Sequence, residues 1–330
     1  MKNQIKIGFS LDMVNVHHQE PNRNRYESKY YWDELYPMIV AAGFEAVEIP
    51  FDPYWIFRGG SGVPFTKYCV DVKFEAVNNY VNHLRSHGIK KVAGIHISPS
   101  IFMRNDSLDF YFGATEYFAG DAIRYAKELG CDFVNFSPTP PVGLVYHYHG
   151  NDKNVDWEKW SGEFIEGTAR LVNELAEIAK EHSITLALRN EYWGFLRGDQ
   201  MLSFLKNIDD SVRLDMDAAH TSIAGQNPVE TVRSRAKLIG SVHLTDTAFV
   251  DDAEIWKTPL PEYPHHRATQ IFRDLGFGNI NLKEFYETLQ SEDYSGWAIA
   301  GCRQTRDPMR ALLRSRSCLN QIIHPSKTSH

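Results

Sequence analysis

The chain has 330 residues, of which 43% are hydrophobic and 23% are charged, and its formal net charge is −7. This balance is ordinary for a globular protein and excludes a chain that is mainly disordered. The negative charge disfavours a nucleic-acid partner, because phosphate backbones are bound by clustered Lys and Arg. The composition therefore favours a globular protein that acts on small molecules.

The cysteines and the N-terminal segment predict a cytoplasmic protein. Cys69, Cys131, Cys302 and Cys318 are widely spaced and form no Cys-x-x-Cys pair, so we expect free thiols and no zinc site built on thiolates. The N-terminal residues enter a strand-like pattern without the apolar core of a signal peptide. We also expect no membrane association, because no segment approaches the ~20 apolar residues of a membrane span.

Short apolar runs alternate with longer amphipathic runs along the chain. The predicted strands span, in chain order, residues 5–13, 46–51, 91–99, 131–140, 184–192, 212–220, 239–248 and 296–302. The predicted helices span residues 32–44, 72–89, 114–130, 156–183, 198–208, 227–238, 282–294 and 307–323. This alternation is typical of parallel strands that are joined by crossover helices.

Eight strand–helix units predict one (β/α)8 TIM barrel domain over residues 1–330. An open doubly wound sheet is the main alternative, but the GxGxxG phosphate loop expected after its first strand is missing. Four long segments, 13–31, 52–71, 140–155 and 248–267, follow strand ends. Loops after the strands of a parallel barrel lie on its catalytic face, so we expect these segments to shape a site.

Polar residues at the predicted strand ends indicate a metal site. Glu191, Asp217 and His243 come from three consecutive strands, whose ends a closed barrel brings into one bowl. Two carboxylates and an imidazole suit Mn²⁺, Mg²⁺, Co²⁺ or Zn²⁺. Any one of these residues could be structural, but three in one bowl favour a divalent metal ion.

Other polar residues near strand ends are candidate substrate contacts. Glu48 is suited to orient a sugar hydroxyl, although a buried salt bridge to Arg189 or Arg303 is the structural alternative. Arg303 itself follows the last strand and is a candidate substrate contact. His96 is suited either to contact substrate or to cap a loop.

His220 and Arg267 complete the candidate contacts in later segments. His220 lies three residues after Asp217, where it could carry a proton, contact substrate or hydrogen-bond to the backbone. Arg267 lies in the long segment after the seventh strand and could clamp a substrate oxygen.

The loop after the fourth strand, PPVGLVYHYHG, carries two histidines. On an extended segment, alternate residues point to the same side, so His147 and His149 are predicted to face one way. Histidine is the commonest proton carrier near neutral pH, which makes His147 the candidate base and His149 a candidate substrate contact. Two solvent-exposed loop histidines are the alternative.

Six segments carry a family resemblance: GFEAVEI (43–49), AIRYAKELGCDFV (122–134), ITLALRNE (184–191), LDMDAAH (214–220), SVHLTD (241–246) and GWAIAGCRQTRDP (296–308). They resemble the xylose-isomerase-like barrel superfamily of sugar-phosphate isomerases, epimerases and inosose dehydratases, and the resemblance extends over nearly the whole chain. The resemblance implies one metal held by a middle-strand Glu, the Asp of D-x-x-H, the His of H-L-x-D and a last-strand Glu. In this chain, the resemblance implies that the Asp is Asp217 and the His is His243. Glu191 corresponds to the middle-strand Glu only after a small shift of the alignment past Arg189.

The last-strand glutamate of that superfamily is replaced by Gly301. The fourth ligand is then expected to be water or Gln304, and Mn²⁺ is the expected ion, with Mg²⁺, Co²⁺ or Zn²⁺ as alternatives. Isomerases and epimerases of the group use paired glutamates to move protons. The loss of one glutamate therefore puts plain epimerisation in doubt.

Three segments resemble the large subunit of bacterial C-glycoside deglycosidases: the YHYHG insertion, EYWGFLRG (191–198) and CRQTRDPMRALLR (302–314). This resemblance implies a small β-sandwich partner subunit in a hetero-oligomer, and a C-glycoside substrate already oxidised to the 3-keto sugar. It implies a lyase reaction in which the metal polarises the carbonyl and His147 removes the C2 proton. The enolate then expels the aromatic carbon from C1.

Three other functions stay open from the sequence. An isomerase, epimerase or dehydratase acting on ketoses or keto-inositols would use the same metal site. A catalytically inactive barrel that serves as a binding subunit would explain Gly301. An abasic-site endonuclease shares the barrel, but the charge of −7 and the few candidate ligands disfavour it.

Overall fold

The structure is a computed structural model that describes residues 4–14, 28–57, 63–103, 107–150, 156–262, 270–303 and 305–323. Its strands are β1 (Lys6–Ser10), β2 (Ala46–Phe51), β3 (Lys91–Ile97), β4 (Phe133–Phe136), β5 (Thr185–Arg189), β6 (Arg213–Asp217), β7 (Ile239–Leu244), β8 (Asp246–Thr247), β9 (Phe272–Arg273) and β10 (Trp297–Ala300). All except β8 and β9 close into one parallel barrel, in the order β1–β10–β7–β6–β5–β4–β3–β2. The predicted (β/α)8 fold is confirmed.

Helices follow the barrel strands, and the longer ones pack against the outer face of the barrel. They are α1 (Lys29–Ala41), α2 (Tyr54–Phe57), α3 (Lys67–Phe74), α4 (Val77–Ser86), α5 (Leu108–Leu129), α6 (Val142–Val145), α7 (Trp157–His182), α8 (Asp199–Leu205), α9 (Ala218–Ile223), α10 (Pro228–Arg235), α11 (Leu282–Ser291) and α12 (Pro308–Ile323). Local signals set their ends: Ser107 caps α5 at its start, and Gly130 ends it in the left-handed conformation. In the part of the chain described, none of these helices combines the length and apolarity needed to cross a bilayer.

Successive side chains of a strand point alternately outward to the helices and inward to the barrel interior. On β5, Leu186 and Leu188 belong to the main core between strands and helices, while Arg189 joins a polar network inside. A small apolar cluster from several strands occupies the amino-terminal end of the interior, and it consists of Ala46, Ala93, Phe133, Trp297 and Ile299. The ring of Phe133 lies so close to Gly94 that a Cβ there would come within 2.1 Å of it. The interior thus changes from apolar at one end to polar at the other.

Two predicted elements end at different places in the structure. The helix predicted over 72–89 is divided into α3 and α4, because Glu75 adopts the left-handed conformation with φ of 67°. The strand predicted over 212–220 stops at Asp217, whose side chain accepts the backbone N–H of His220 and so caps α9. The capping bond is what turns the chain out of the strand at this point.

The loop after β4 is helical rather than extended, so the expectation that strand alternation aligns its two histidines was wrong. Helix α6 continues into a π-helical turn at Tyr146–Gly150. Residues two apart on a helix do not share a face. His147 is exposed, whereas the ring of His149 stacks on that of Trp160 with centroids 4.9 Å apart.

Candidate active site in the barrel bowl

A buried charged network crosses the barrel from β2 to β7. Nε of Arg189 donates to Oδ2 of Asp215 over 2.8 Å, and Nη2 of Arg189 lies 2.7 Å from Nε2 of His243. Nδ1 of His243 lies 2.8 Å from Oδ1 of Asp215, and its Nε2 lies 2.9 Å from Oε2 of Glu48. All four side chains are buried. Cationic and anionic groups therefore compensate each other where water is excluded.

This network shifts the pKa values of its members. Burial and Arg189 lower the pKa of His243, but the carboxylates of Asp215 and Glu48 outweigh both and raise it to about 9. Burial raises the pKa of Glu48, yet His243 and Arg189 bring it below its usual range. The salt bridge between Glu48 and Arg189 that the sequence suggested is present, with 3.7 Å between Oε1 and Nη2.

A second group of side chains lies at the carboxyl ends of the strands. Arg303, which follows β10, donates from Nη1 to Oε1 of Glu191 over 2.6 Å, and its Nε lies 3.4 Å from Oε2 of Glu262. The ligand atoms of Glu191, His220 and Glu262 all lie within 4.8 Å of one another, a spacing at which they could hold a metal ion. We call this group the bowl cluster.

Glu262 was missed by the sequence reasoning. It lies in the long segment 248–267, in the run PLPEYP, and the only signal was that this segment follows a strand end. The segment lacks the periodicity that places side chains on strands or helices. Glu262 enters the bowl through the path of the loop, where the indole N–H of Trp193 donates to its Oε1.

The bowl cluster drives the pKa values of its two carboxyl groups apart. Burial raises the pKa of Glu191, but the charges of Arg303 and His220 lower it to about 2. Burial raises the pKa of Glu262 to about 7, against the opposing charge of Arg303 and with the help of Glu191. In the metal-free site the pKa of Glu191 therefore lies far below neutral, while the pKa of Glu262 lies near it.

His220 presents a hydrogen-bond donor to the bowl. Its Nδ1 accepts the backbone N–H of Tyr192 over 3.1 Å, and its buried Nε2 has no hydrogen-bond partner among the described residues. Burial lowers its pKa to about 4, so the ring is neutral at physiological pH and its proton lies on Nε2. Edge contacts with the rings of Trp193 and Phe272 hold the imidazole in place. Such a donor suits a substrate oxygen.

Asp217 ends β6, and His96 lies on β3. Oδ1 of Asp217 accepts the hydroxyl of Thr245 over 2.6 Å in addition to the cap of α9. Nε2 of His96 lies 3.1 Å from the hydroxyl of Ser137, and its Nδ1 lies 3.4 Å from a carboxylate oxygen of Asp12. Asp12 is a further charged residue of this site that the sequence did not single out.

The structure distributes the predicted metal ligands over more than one group. Glu191 belongs to the bowl cluster, whereas Asp217 and His243 form no ligand group with it at metal spacing within the described ranges. Gln304 and Arg267 lie outside the described residues. The ligand set, and the roles of the exposed His147 and the stacked His149, stay predictions.

Gly301 has little room for a larger residue. A Cβ at this position would lie 3.2 Å from Cβ of Ser10, so a side chain there would require Ser10 to shift. Gly301 supplies no carboxyl group at the end of β10, and the second carboxyl group of the bowl is that of the loop residue Glu262.

Comparison with known proteins agrees with this architecture. Residues 38–322 match the family described as Xylose isomerase-like TIM barrel. The chain is 26% identical to an inosose dehydratase of Clostridium tetani over 145 residues, which is 43% of this chain and 48% of that protein. It is 25% identical to the inosose dehydratase of Bacillus licheniformis over 207 residues, 61% of this chain and 67% of that one. The alignments thus span about half and two thirds of these relatives.

Solved structures share the fold at low sequence identity. An L-ribulose 3-epimerase superposes with a TM-score of 0.66 at 15% identity, covering 97% of this chain and 95% of the other. The IOLI protein, solved with a zinc atom, superposes with a TM-score of 0.61 at 15% identity, covering 97% and 98%. The sequence match over most of the chain, together with the closed parallel barrel, shows that the protein belongs to the xylose isomerase-like TIM barrel family.

Proposed function

We propose that this chain is a divalent-metal-dependent carbohydrate lyase that cleaves the C–C glycosidic bond of 3-keto C-glycosides. The observation that carries the proposal is that the guanidinium of Arg303 faces two carboxyl groups, 2.6 Å from Oε1 of Glu191 and 3.4 Å from Oε2 of Glu262. Removing a proton beside a ketone requires one group that takes up the proton and fixed charges that stabilise the oxyanion. The choice of a carbon leaving group rests on the sequence resemblance to C-glycoside deglycosidases.

The bowl cluster fits a divalent cation. Oε2 of Glu262 is buried without a hydrogen-bond partner in the described part of the chain, and two carboxylates suit Mn²⁺ or a related ion. The bond from Tyr192 to Nδ1 of His220 leaves the proton on Nε2, so His220 fits better beside the ion than on it. The family resemblance implies a different set, and Glu191 is the ligand common to both. A cation held there would act as a Lewis acid on the substrate carbonyl.

Proton transfer falls to the side chain of Glu262. As a carboxylate it takes the proton from C2, which lies beside the C3 ketone. The C–H electrons form a C1–C2 double bond, the C1–aryl pair leaves with the aromatic carbon, and that carbon takes up a proton. One proton is removed and one is returned, so no further reactant is consumed. The exposed His147 is the second candidate for removing the C2 proton or for protonating the aromatic carbon.

Within the described bowl cluster, Glu262 is the residue whose pKa lies near neutral, and this supports elimination over epimerisation. Epimerisation requires a second group that returns the proton to the opposite face of the same carbon. Glu191 is held as an anion by Arg303, and Gly301 supplies no side chain at the end of β10. The N–H of His220 and the guanidinium of Arg303 would instead bind substrate oxygens and hold the sugar ring.

The proposal includes a small β-sandwich partner subunit, which rests on the sequence resemblance alone. Co-expression of the chain with a candidate small subunit, followed by size-exclusion chromatography, tests this part. A stable complex at fixed stoichiometry is expected. Full lyase activity of the isolated chain would show that the partner is dispensable.

The reaction is tested with a 3-keto C-glucoside in D₂O. We expect release of the free aglycone together with exchange at C2, loss of both after chelation, and recovery on addition of Mn²⁺. Proton exchange on free ketoses without release of an aglycone would contradict the lyase and support an isomerase.

A dehydratase acting on keto-inositols is the second candidate, and the inosose dehydratases among the relatives favour it. The α-proton is removed in the same way, but water leaves instead of an aromatic carbon. The absorbance of the conjugated ketone formed from an inosose measures this activity. A kcat/KM for the inosose far above that for the keto C-glucoside would select the dehydratase.

A further inference from the structure

A second set of metal-binding side chains lies on the helices outside the barrel. Asp33 projects from α1, His83 from α4, and His87 from the residue that ends α4. Nε2 of His83 lies 2.7 Å from Oδ1 of Asp33, and Nε2 of His87 lies 3.7 Å from the same oxygen. The three side chains are 17–27% exposed, so an ion from solvent can reach them. This group contains no member of the bowl cluster.

The local structure of α4 brings its two histidines together. They are four residues apart, which places them on the same face of a helix. The backbone N–H of His87 still bonds to the carbonyls of His83 and Leu84, so the helical turn is kept through this residue. The ring centroids of the two histidines are 4.6 Å apart, and the rings of Phe74 and Tyr36 pack beside them. These contacts hold both Nε2 atoms toward Asp33 before any ion binds.

We propose that Asp33, His83 and His87 bind a divalent ion of the zinc class, with water completing a tetrahedral site. Zn–N and Zn–O bonds of roughly 2.0–2.1 Å separate tetrahedral ligand atoms by about 3.3 Å. The observed distances of 2.7 and 3.7 Å lie on either side of that separation, so small side-chain rotations suffice. Two imidazoles and one carboxylate suit Zn²⁺, Co²⁺, Ni²⁺ or Cu²⁺ better than Mg²⁺ or Ca²⁺.

The charges around the site favour a cation on balance. The carboxylate of Asp33 and the carbonyl end of α4 are both negative. The ammonium of Lys29 opposes them, but it lies over the ring of Phe74, 5.3 Å from the centroid. A bound ion would join α1 to α4 and so fasten the first helix of the barrel to the next strand–helix unit. This site would be structural and is independent of the proposed reaction.

The test uses full-length protein in which Glu191→Gln and Glu262→Gln remove the carboxylates of the bowl cluster. After chelation and buffer exchange, Zn²⁺ is titrated into this protein by calorimetry. We expect one equivalent to bind, and His83→Asn with His87→Asn to weaken this binding roughly 100-fold or more, since loss of even indirect ligand support costs 10–100-fold. His182→Asn, which changes a partly exposed histidine at the end of α7, is the matched control and should bind as before.

Two outcomes would overturn the proposal: absence of Zn²⁺ binding to the background protein, or binding that the double histidine substitution leaves unchanged. X-ray absorption of the zinc-loaded background protein gives a second readout that does not depend on how the double variant folds. Two imidazole ligands are expected, and a spectrum with fewer would also overturn the site. Zn²⁺ should raise the Tm of the background protein but not that of the double variant.

Discussion

Nε of Arg303 lies 3.4 Å from Oε2 of Glu262, a buried oxygen without a hydrogen-bond partner among the described residues. The same guanidinium donates to Glu191, so one cation faces two carboxyl groups of very different pKa. In this arrangement Glu191 carries the negative charge at neutral pH, while Glu262 has a pKa near neutral. The predictions on catalysis and pH follow from it.

Glu262→Gln should lower kcat/KM for the keto-sugar substrate by ~10²–10⁴, the usual contribution of a positioned proton carrier. The amide keeps the size of the side chain and an acceptor for Trp193, but it cannot take up the proton. Because Glu262 is also a candidate metal ligand, the rate is compared at full metal content of the variant. Steady-state release of the aglycone measures the effect. Glu254→Gln, an exposed change in the same long segment, is the matched control and should retain activity. An unchanged Glu262→Gln, alongside an inactive His147→Gln, would move the base to the loop after β4.

Glu262 should make the stability of the metal-free protein fall as pH rises. Its pKa is about 7 in the folded protein against 4.5 in the unfolded chain, so the folded state binds the extra proton between these values. The contribution of Glu262 to the free energy of unfolding is greatest below pH 4.5 and is lost as pH rises toward and through 7. Between pH 5 and pH 8 it should decrease by about 2–3 kcal/mol. Urea unfolding at both pH values, with chelator present, measures it.

The comparison with Glu262→Gln isolates that contribution from other titrating groups. The variant has no carboxyl at this position, so the difference between wild type and variant should shrink across the same pH interval. A difference that stays constant or grows would contradict the raised pKa.

Arg189→Met should destabilise the fold by ~3–5 kcal/mol, the cost of removing one partner from a buried charged network. His243 would remain as a hydrogen-bonded cationic partner of Glu48 and Asp215 among the described residues. Denaturant unfolding measures the loss. Arg170→Met, at an exposed position of α7, is the control and should change stability little. Equal stability of the two variants would contradict the expected cost of removing Arg189 from the buried network.

Asp217→Ala should abolish metal binding and activity while the barrel stays folded, if the family's ligand set applies. The alanine also removes the cap of α9 and the acceptor for Thr245, which costs about 1 kcal/mol for the cap alone. Asp217→Asn retains an oxygen for both bonds and removes only the charge. Metal content by mass spectrometry, with unfolding as the control for stability, distinguishes the two effects.

Full metal content in Asp217→Ala, together with its loss in Glu262→Gln, would exclude Asp217 as a ligand. It would also assign the second carboxylate ligand to the bowl cluster. Glu191→Gln should lose the metal under either ligand set.

The eight strand–helix units and their closure into a barrel could be predicted from the amino-acid sequence. These features depend on periodicity and on local end signals, such as the glycine that follows α5, which act within a few residues. It also placed Glu191 and Arg303 at strand ends, where the parallel barrel gathers them. The helix boundary at Asp217 was missed because a single side-chain bond, invisible to periodicity, ends the strand there.

The contacts between polar groups in the barrel depend on the folded arrangement of distant segments. His243 and Glu48 are 195 residues apart in the chain, and barrel closure alone places their side chains within 2.9 Å. Glu262 reaches the bowl through a loop without periodic pattern, and its pKa depends on burial and on Arg303 rather than on its neighbours in sequence. The family and the fold could therefore be predicted from local pattern, while the proton carrier depends on distances that only the folded chain defines.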